Sequence, residues 1–128
     1  MGYYGKYPKS TEAQWEVVAH QGIGYFRVSF TYQGDRYQTV YDENRNTLLE
    51  RKFSTLENVP EPVIELLNYR LVKYDVEEFL TLTTYDENKP LEVSHRAKSL
   101  MKTGGTVVYW FDESLKLVPN KKEREFIY

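Results

Sequence analysis

The sequence predicts an α+β fold, an antiparallel meander sheet with a helix packed on one face, and three observations carry that reading. A strand-turn-strand phrase is written three times: Val40-Tyr41-Asp42-Glu43-Asn44 before Leu48-Leu49, Thr84-Tyr85-Asp86-Glu87-Asn88 before Leu91, and Trp110-Phe111-Asp112-Glu113-Ser114 before Leu115. In each, an aromatic ends a strand, an Asp that can bond its own backbone starts the turn, and aliphatic residues resume the next strand. Second, Phe26, Val28, Phe30 and Tyr32 alternate with Arg27, Ser29 and Thr31, the period of a half-buried strand. Third, Val63, Leu66, Leu67, Arg70 and Leu71 recur at helical spacing between the first two phrases.

Taken in order, Tyr3 to Ser10 is an aromatic and basic lead-in interrupted by Pro8, either the end of a helix or an extended arm. From Gln14 the pattern is strand, with Trp15, Val17 and Ala19 alternating with Glu16 and Val18, and Gln21-Gly22-Ile23-Gly24 supplies a turn. The aromatic strand follows, then a hairpin at Gln33-Gly34-Asp35-Arg36. With Gly34-Asp35 as the loop, Tyr32 pairs with Tyr37, Phe30 with Thr39 and Val28 with Tyr41, so the inward residues of both strands share a face. Thr47 to Phe53 completes the first meander.

Asn58 is placed to cap a helix whose first turn holds Pro60 and Pro62, and that helix is expected to lie over the aromatic face of the sheet. Phe79 to Tyr85 reads as strand, while Val72 to Glu78 either extends the helix or opens that strand. Leu91, Val93, His95 and Ala97 alternate with Glu92, Ser94, Arg96 and Lys98; Lys102-Thr103-Gly104-Gly105 turns the chain and Thr106 to Phe111 returns as strand. Meander, helix and meander form a weak two-fold internal repeat. No Gly-, Pro- or Ser-rich linker divides the chain, so residues 1–128 are expected to form a single domain.

Composition bounds the function. A chain of 128 residues with 41% hydrophobic and 28% charged residues reads as an ordinary globular protein. The 17 basic and 19 acidic residues are interspersed and leave a net charge of −2, so no broad field invites nucleic acid or anionic lipid. The charges of Lys121-Lys122-Glu123-Arg124-Glu125 nearly cancel, which reads as a solvated tail. With no cysteine, disulfides, thiolate metal sites and a Cys nucleophile are excluded. No apolar run approaches the roughly 20 residues that span a bilayer, and no export leader opens the chain as written. The 12 tyrosines suit half-buried sheet positions, where the ring packs and the hydroxyl reaches water, and they also suit recognition surfaces.

The chemistry-bearing residues assemble no catalytic motif. His20 and His95 share no element and have no ligand at metal spacing, so no metal is expected. His95 falls on the apolar register of its strand and reads as a packed histidine; His20, by a turn, reads as solvated. Asp42-Glu43-Asn44 and Asp86-Glu87-Asn88 lack the alternating oxygens, central Gly and distal Glu of a calcium loop. No carboxylate pair falls in an expected cleft, and no phosphate loop, nucleophile elbow or Ser with a base is present. Stacking on bases is disfavoured because the aromatics fall on the face expected under the helix, with only Arg27 opposite. The protein is therefore read as neither an enzyme nor a nucleic-acid binder, and no cofactor is expected.

A resemblance can now be stated. Lys6-Tyr7-Pro8, Gln14-Trp15-Glu16, Tyr25-Phe26-Arg27-Val28-Ser29-Phe30, Val40-Tyr41-Asp42-Glu43-Asn44, Leu48-Leu49 and Val59-Pro60 together resemble the PepSY-like, β-lactamase-inhibitor-like domains of exported Bacteroidota proteins. The match covers most of the chain. It departs from the family pattern at Arg45 or Asn46 and at Leu115, where Gly is usual, and in the near absence of a helix before the Tyr-Pro element. The resemblance implies a small extracytoplasmic module, periplasmic, cell-surface or secreted, with binding or inhibitory roles and no established catalytic residues. Three readings follow. In the first, the open sheet face bearing Arg27, Ser29, Thr31, Arg36 and Gln38 meets a protein or peptide partner. In the second, the chain is a structural module of an envelope assembly that pairs through its strand edges. In the third, the chain is an enzyme or small-ligand protein with a pocket between helix and sheet, lined by His95 and carboxylates.

Overall fold

Short turns, three of them of two residues, make most of this chain a meander. The computed structural model describes residues 11–119, with the backbone alone at His20. Its strands are β1 (Thr11–His20), β2 (Ile23–Tyr32), β3 (Asp35–Tyr41), β4 (Thr47–Ser54), β5 (Tyr74–Asp86), β6 (Lys89–Met101) and β7 (Thr106–Asp112). They form one seven-stranded sheet in sequence order, each antiparallel to the next. A 3-10 turn, Leu56–Asn58, and the helix α1 (Glu61–Arg70) occupy the connection from β4 to β5. The expected lead-in at Tyr3 to Ser10 and the charged tail at Lys121 to Glu125 lie outside the described residues.

The β2–β3 hairpin corrects the expected register. Its loop is Gln33-Gly34, both at positive φ (51° and 86°), the type I′ geometry that matches strand twist and that glycine adopts without steric cost. Tyr32 therefore pairs with Asp35, Phe30 with Tyr37, Val28 with Thr39 and Phe26 with Tyr41, two residues away from the pairing expected of a Gly34-Asp35 loop. Because the slip is even, every side chain keeps its face. The β1–β2 loop is likewise shorter than the four residues expected, with Gln21 and Gly22 at φ 53° and 80° between His20 and Ile23.

The thrice-written phrase folds in two ways. Asp42 Oδ1 accepts the backbone N–H groups of Asn44 (2.8 Å) and Asn46 (2.9 Å), and Asp112 Oδ1 those of Ser114 (2.9 Å) and Lys116 (3.0 Å). Arg45 and Leu115 take the left-handed position at φ 65° and 66°, which glycine adopts without steric cost. The middle copy instead closes by the two-residue loop Glu87-Asn88, at φ 50° and 63°. The reason is local: the residue four beyond Asp86 is Pro90, which has no N–H to offer that carboxylate.

Helix α1 begins at Pro60 with Pro62 in its first turn; Asn58 is not its cap but ends the 3-10 turn, its Nδ2 donating to Thr55 Oγ1 at 2.9 Å. The helix stops before Leu71, and Tyr74 already belongs to β5, so Val72 to Glu78 does not prolong it. Val63 and Leu67, one turn apart, are fully buried against Phe79, Ala97 and Phe111 of β5, β6 and β7. Burial of each is worth about 1.5–3 kcal/mol. The helix thus lies on the expected face but over the opposite end of the sheet from the aromatic strand, because its short link to β5 holds it there.

That leaves the aromatic strand with its own cluster. Val28 and Phe30 are fully buried with Tyr41, and Tyr32 and Tyr37 pack against them; Phe30 stacks on Tyr37 at 5.4 Å. Phe26, expected in the core, is 38% exposed, because it lies between Tyr41 and the exposed Val17 at the edge of the sheet. Leu91, at the β5–β6 hairpin end, is also exposed. The opposite face holds a third cluster, Val40, Leu49, Leu80, Leu82 and Trp110. From Val40 onward this face carries that apolar cluster, whereas over β1–β3 it is largely polar.

Candidate functional site

The polar end of that opposite face is assembled by strand pairing. Ser29 lies opposite Gln38 and Thr31 opposite Arg36, while Arg27 lies between Glu16 on β1 and Val40 on β3. All five residues singled out from the alternation, Arg27, Ser29, Thr31, Arg36 and Gln38, thus stand on one face of β2–β3. Arg36 is exposed and the other four are half-buried, less open than the alternation alone implied.

Three residues that the sequence reading did not single out complete the network. Arg27 directs Nε (3.0 Å) and Nη2 (2.9 Å) onto Glu16 Oε1. That hydrogen bond, and then the guanidinium charge, hold the Glu16 carboxyl below its ordinary range. Glu12 stands in a β-bulge, at φ 57°, where one extra residue of β1 re-aims the chain. Its Oε2 accepts from Arg36 Nη1 at 3.1 Å, and Arg36 Nη1 also donates to Thr31 Oγ1 at 3.0 Å. Arg51 on β4 donates to Gln38 Oε1 at 3.2 Å. The Glu16–Arg27 pairing was legible as opposite charges on neighbouring strands, whereas Glu12 depends on a bulge that no local signal announces.

Further along the same face, Arg96 pairs with Glu78 and lies over the Trp110 ring, 5.9 Å from its centroid. Such a cation over an indole favours a fixed, desolvated geometry rather than a mobile charge.

His95 lies on the other face. Its Nδ1 is 2.8 Å from Thr81 Oγ1 and its ring stacks on Phe79 at 5.8 Å, with 9° between the planes. Burial lowers its pKa, opposed by a hydrogen bond to the Glu113 backbone and by the charges of Glu113 and Asp112, so it is neutral at pH 7. A hydroxyl beside an imidazole resembles a nucleophile with its base, but here the two sit on neighbouring strands with the imidazole packed against the Phe79 ring. His95 is the packed histidine that its register predicts. The side chain of His20 lies outside the described residues.

A cleft of about 320 Å³ opens at the hairpin ends, between the β3–β4 and β5–β6 turns, and is lined by Asp42, Asn46, Thr47, Leu48, Tyr85, Asp86, Glu87 and Asn88. It is not the helix–sheet pocket of the third reading, and Asp42, Asn46, Thr47 and Asn88 in its lining are bonded to one another. Asn88 Oδ1 accepts the Thr47 N–H at 2.7 Å, Asn88 Nδ2 donates to Asn46 Oδ1 at 3.0 Å, and Asn46 Nδ2 to Asp42 Oδ2 at 3.1 Å. The Asp42 carboxyl is lowered by the Asn46 backbone N–H. Among the described residues no three His, Cys, Asp or Glu side chains converge to hold a metal ion, and no helix is long and apolar enough to cross a membrane.

The open antiparallel sheet with one helix on it is the arrangement that has counterparts among solved structures. Among solved structures, the chain is similar to a DUF2874 family protein from Bacteroides uniformis ATCC 8492, with TM-score 0.68, 13% identity, and 90% of this chain and 80% of that chain covered. It is also similar to a BLIP-like protein from Bacteroides fragilis NCTC 9343, with TM-score 0.67, 18% identity, and 95% of this chain and 84% of that chain covered. At these identities the likeness is one of fold. No family model matches the chain, and no curated protein does.

Proposed function

We propose that this protein is a non-catalytic, PepSY-like binding or inhibitory module that acts outside the cytoplasm and recognises a protein or peptide through the polar sheet face of Arg27, Ser29, Thr31, Arg36 and Gln38. The observation that carries the reading is the ladder itself: two strands present five hydrogen-bonding side chains on one face, of which Arg27 and Arg36 are held by ion pairs to Glu16 and Glu12. Such a surface offers donors and acceptors whose geometry is set before a partner arrives, which lowers the ordering cost of binding. Support for an inhibitor-like role comes from the BLIP-like neighbour, and for an exported location from the sequence resemblance.

The test is a pull-down from envelope and secreted extracts of the source organism, run in parallel with Ser29→Arg and with Lys52→Glu, which alters the opposite face. A saturable partner lost with Ser29→Arg and kept with Lys52→Glu is the expected result. A partner indifferent to Ser29→Arg would remove the polar ladder from the interface. A blank would favour the second reading, a structural module, for which the terminal position of β1 in the sheet speaks.

A further inference from the structure

We propose that β1 is a self-association strand: two copies pair their β1 strands antiparallel about a two-fold axis through Val17, so that their sheets become continuous. The argument starts at the sheet edges. β1 and β7 are the terminal strands, and β7 is covered at the C-terminal end of its outer side, where Leu117 pairs with Phe111 and the Val118 N–H donates to the Trp110 carbonyl at 2.9 Å. β1 has β2 as its one ladder partner among the described residues. It also carries neither Lys nor Pro from Thr11 to His20, the residues by which edge strands commonly discourage pairing. Its two charges are already neutralised within the chain, Glu16 by Arg27 at 2.9 Å and Glu12 by Arg36 at 3.1 Å.

The register follows from geometry. The regular part of β1 runs from Gln14 to His20, and the bulge at Glu12 and Ala13 ends it. Residues facing one another across an antiparallel pair share a sheet face, so the axis must pass through a residue, and Val17 is the middle of this stretch. An axis there pairs the whole stretch with its copy. Val17 meets Val17, Trp15 meets Ala19, and Glu16 meets Val18, so a large side chain faces a small one and no like charges are opposed. An axis at Glu16 would set two carboxylates against each other, and one at Val18 would shorten the ladder. Val17 is 69% and Trp15 55% exposed in the single chain, so pairing removes apolar surface from water. The contact is smaller than a standard interface of about 1,600 Å², so micromolar or weaker affinity is expected. It uses the sheet edge and is independent of the polar face.

Sedimentation equilibrium of the full chain from about 10 μM to 1 mM tests this. Monomer and dimer should exchange over that range. Val17→Lys and Val17→Asp, each folded by circular dichroism, should each raise the dissociation constant at least about tenfold. An equimolar mixture of the two should associate again, because only an axis at residue 17 sets the new charges opposite one another. A monomer at every concentration, a dimer indifferent to Val17→Lys, or a mixture that stays monomeric would each overturn the pairing.

Discussion

Asn88, at the tip of the β5–β6 hairpin, accepts the backbone N–H of Thr47 at 2.7 Å and so ties that hairpin to the first residue of β4. The two are 41 residues apart. The same amide donates to Asn46 at 3.0 Å, and Asn46 is itself held by Asp42. The loop that carries Asn88 is the two-residue form, and Pro90 has no N–H with which to make the second bond to the Asp that the two longer turns have.

Removing the clamp is measurable. Asn88→Gly retains the capacity for the positive φ of 63° while deleting both side-chain hydrogen bonds, and it should cost about 1–2 kcal/mol by urea unfolding. An unchanged midpoint would show that water replaces the clamp without loss.

The burial contrast along β2 gives a second expectation. Phe30 is fully buried, so Phe30→Ala should cost about 3–5 kcal/mol, whereas Phe26→Ala, at a partly exposed edge position, should cost less than half as much. Equal losses would contradict the exposed placement of Phe26.

Arg45 is exposed and left-handed at φ 65° without being Gly or Asn. Arg45→Gly should therefore stabilise the protein by about 0.5–1 kcal/mol in the same assay. The matching change at Leu115 should gain less, because that side chain also packs against the cluster under the helix. A loss at Arg45 would mean that its side chain contributes more than its backbone costs.

His95 gives the pH dependence. Its folded pKa lies below the ordinary 6.5, so below that value the unfolded chain binds the proton more readily, and stability falls as pH drops through 6.5 towards the folded pKa. The slope from this group fades by about one pH unit above 6.5, where the unfolded imidazole is also neutral. His95→Gln should flatten that part of the stability profile in urea melts between about pH 7.5 and 5.5. A variant that keeps the wild-type slope would assign the titration elsewhere.

The sequence by itself determined which side chains share a face. Alternation from Phe26 to Tyr32 has a period of two, and that period survives the two-residue slip in the hairpin, so Arg27, Ser29, Thr31, Arg36 and Gln38 stand together under either register. It also determined the strands, the helix near residue 63 and the packed state of His95, whereas the three turn phrases read alike and the odd one among them emerged only from the structure. Only the tertiary structure decided the rest. Where α1 settles depends on Phe79, Ala97 and Phe111, which come from three later strands; the reach of Glu12 depends on a bulge; and the cluster of Val40, Leu49, Leu80, Leu82 and Trp110 joins four strands. Local pattern records which way a residue points, whereas what it meets there is set by chain closure over tens of residues, which no short window contains.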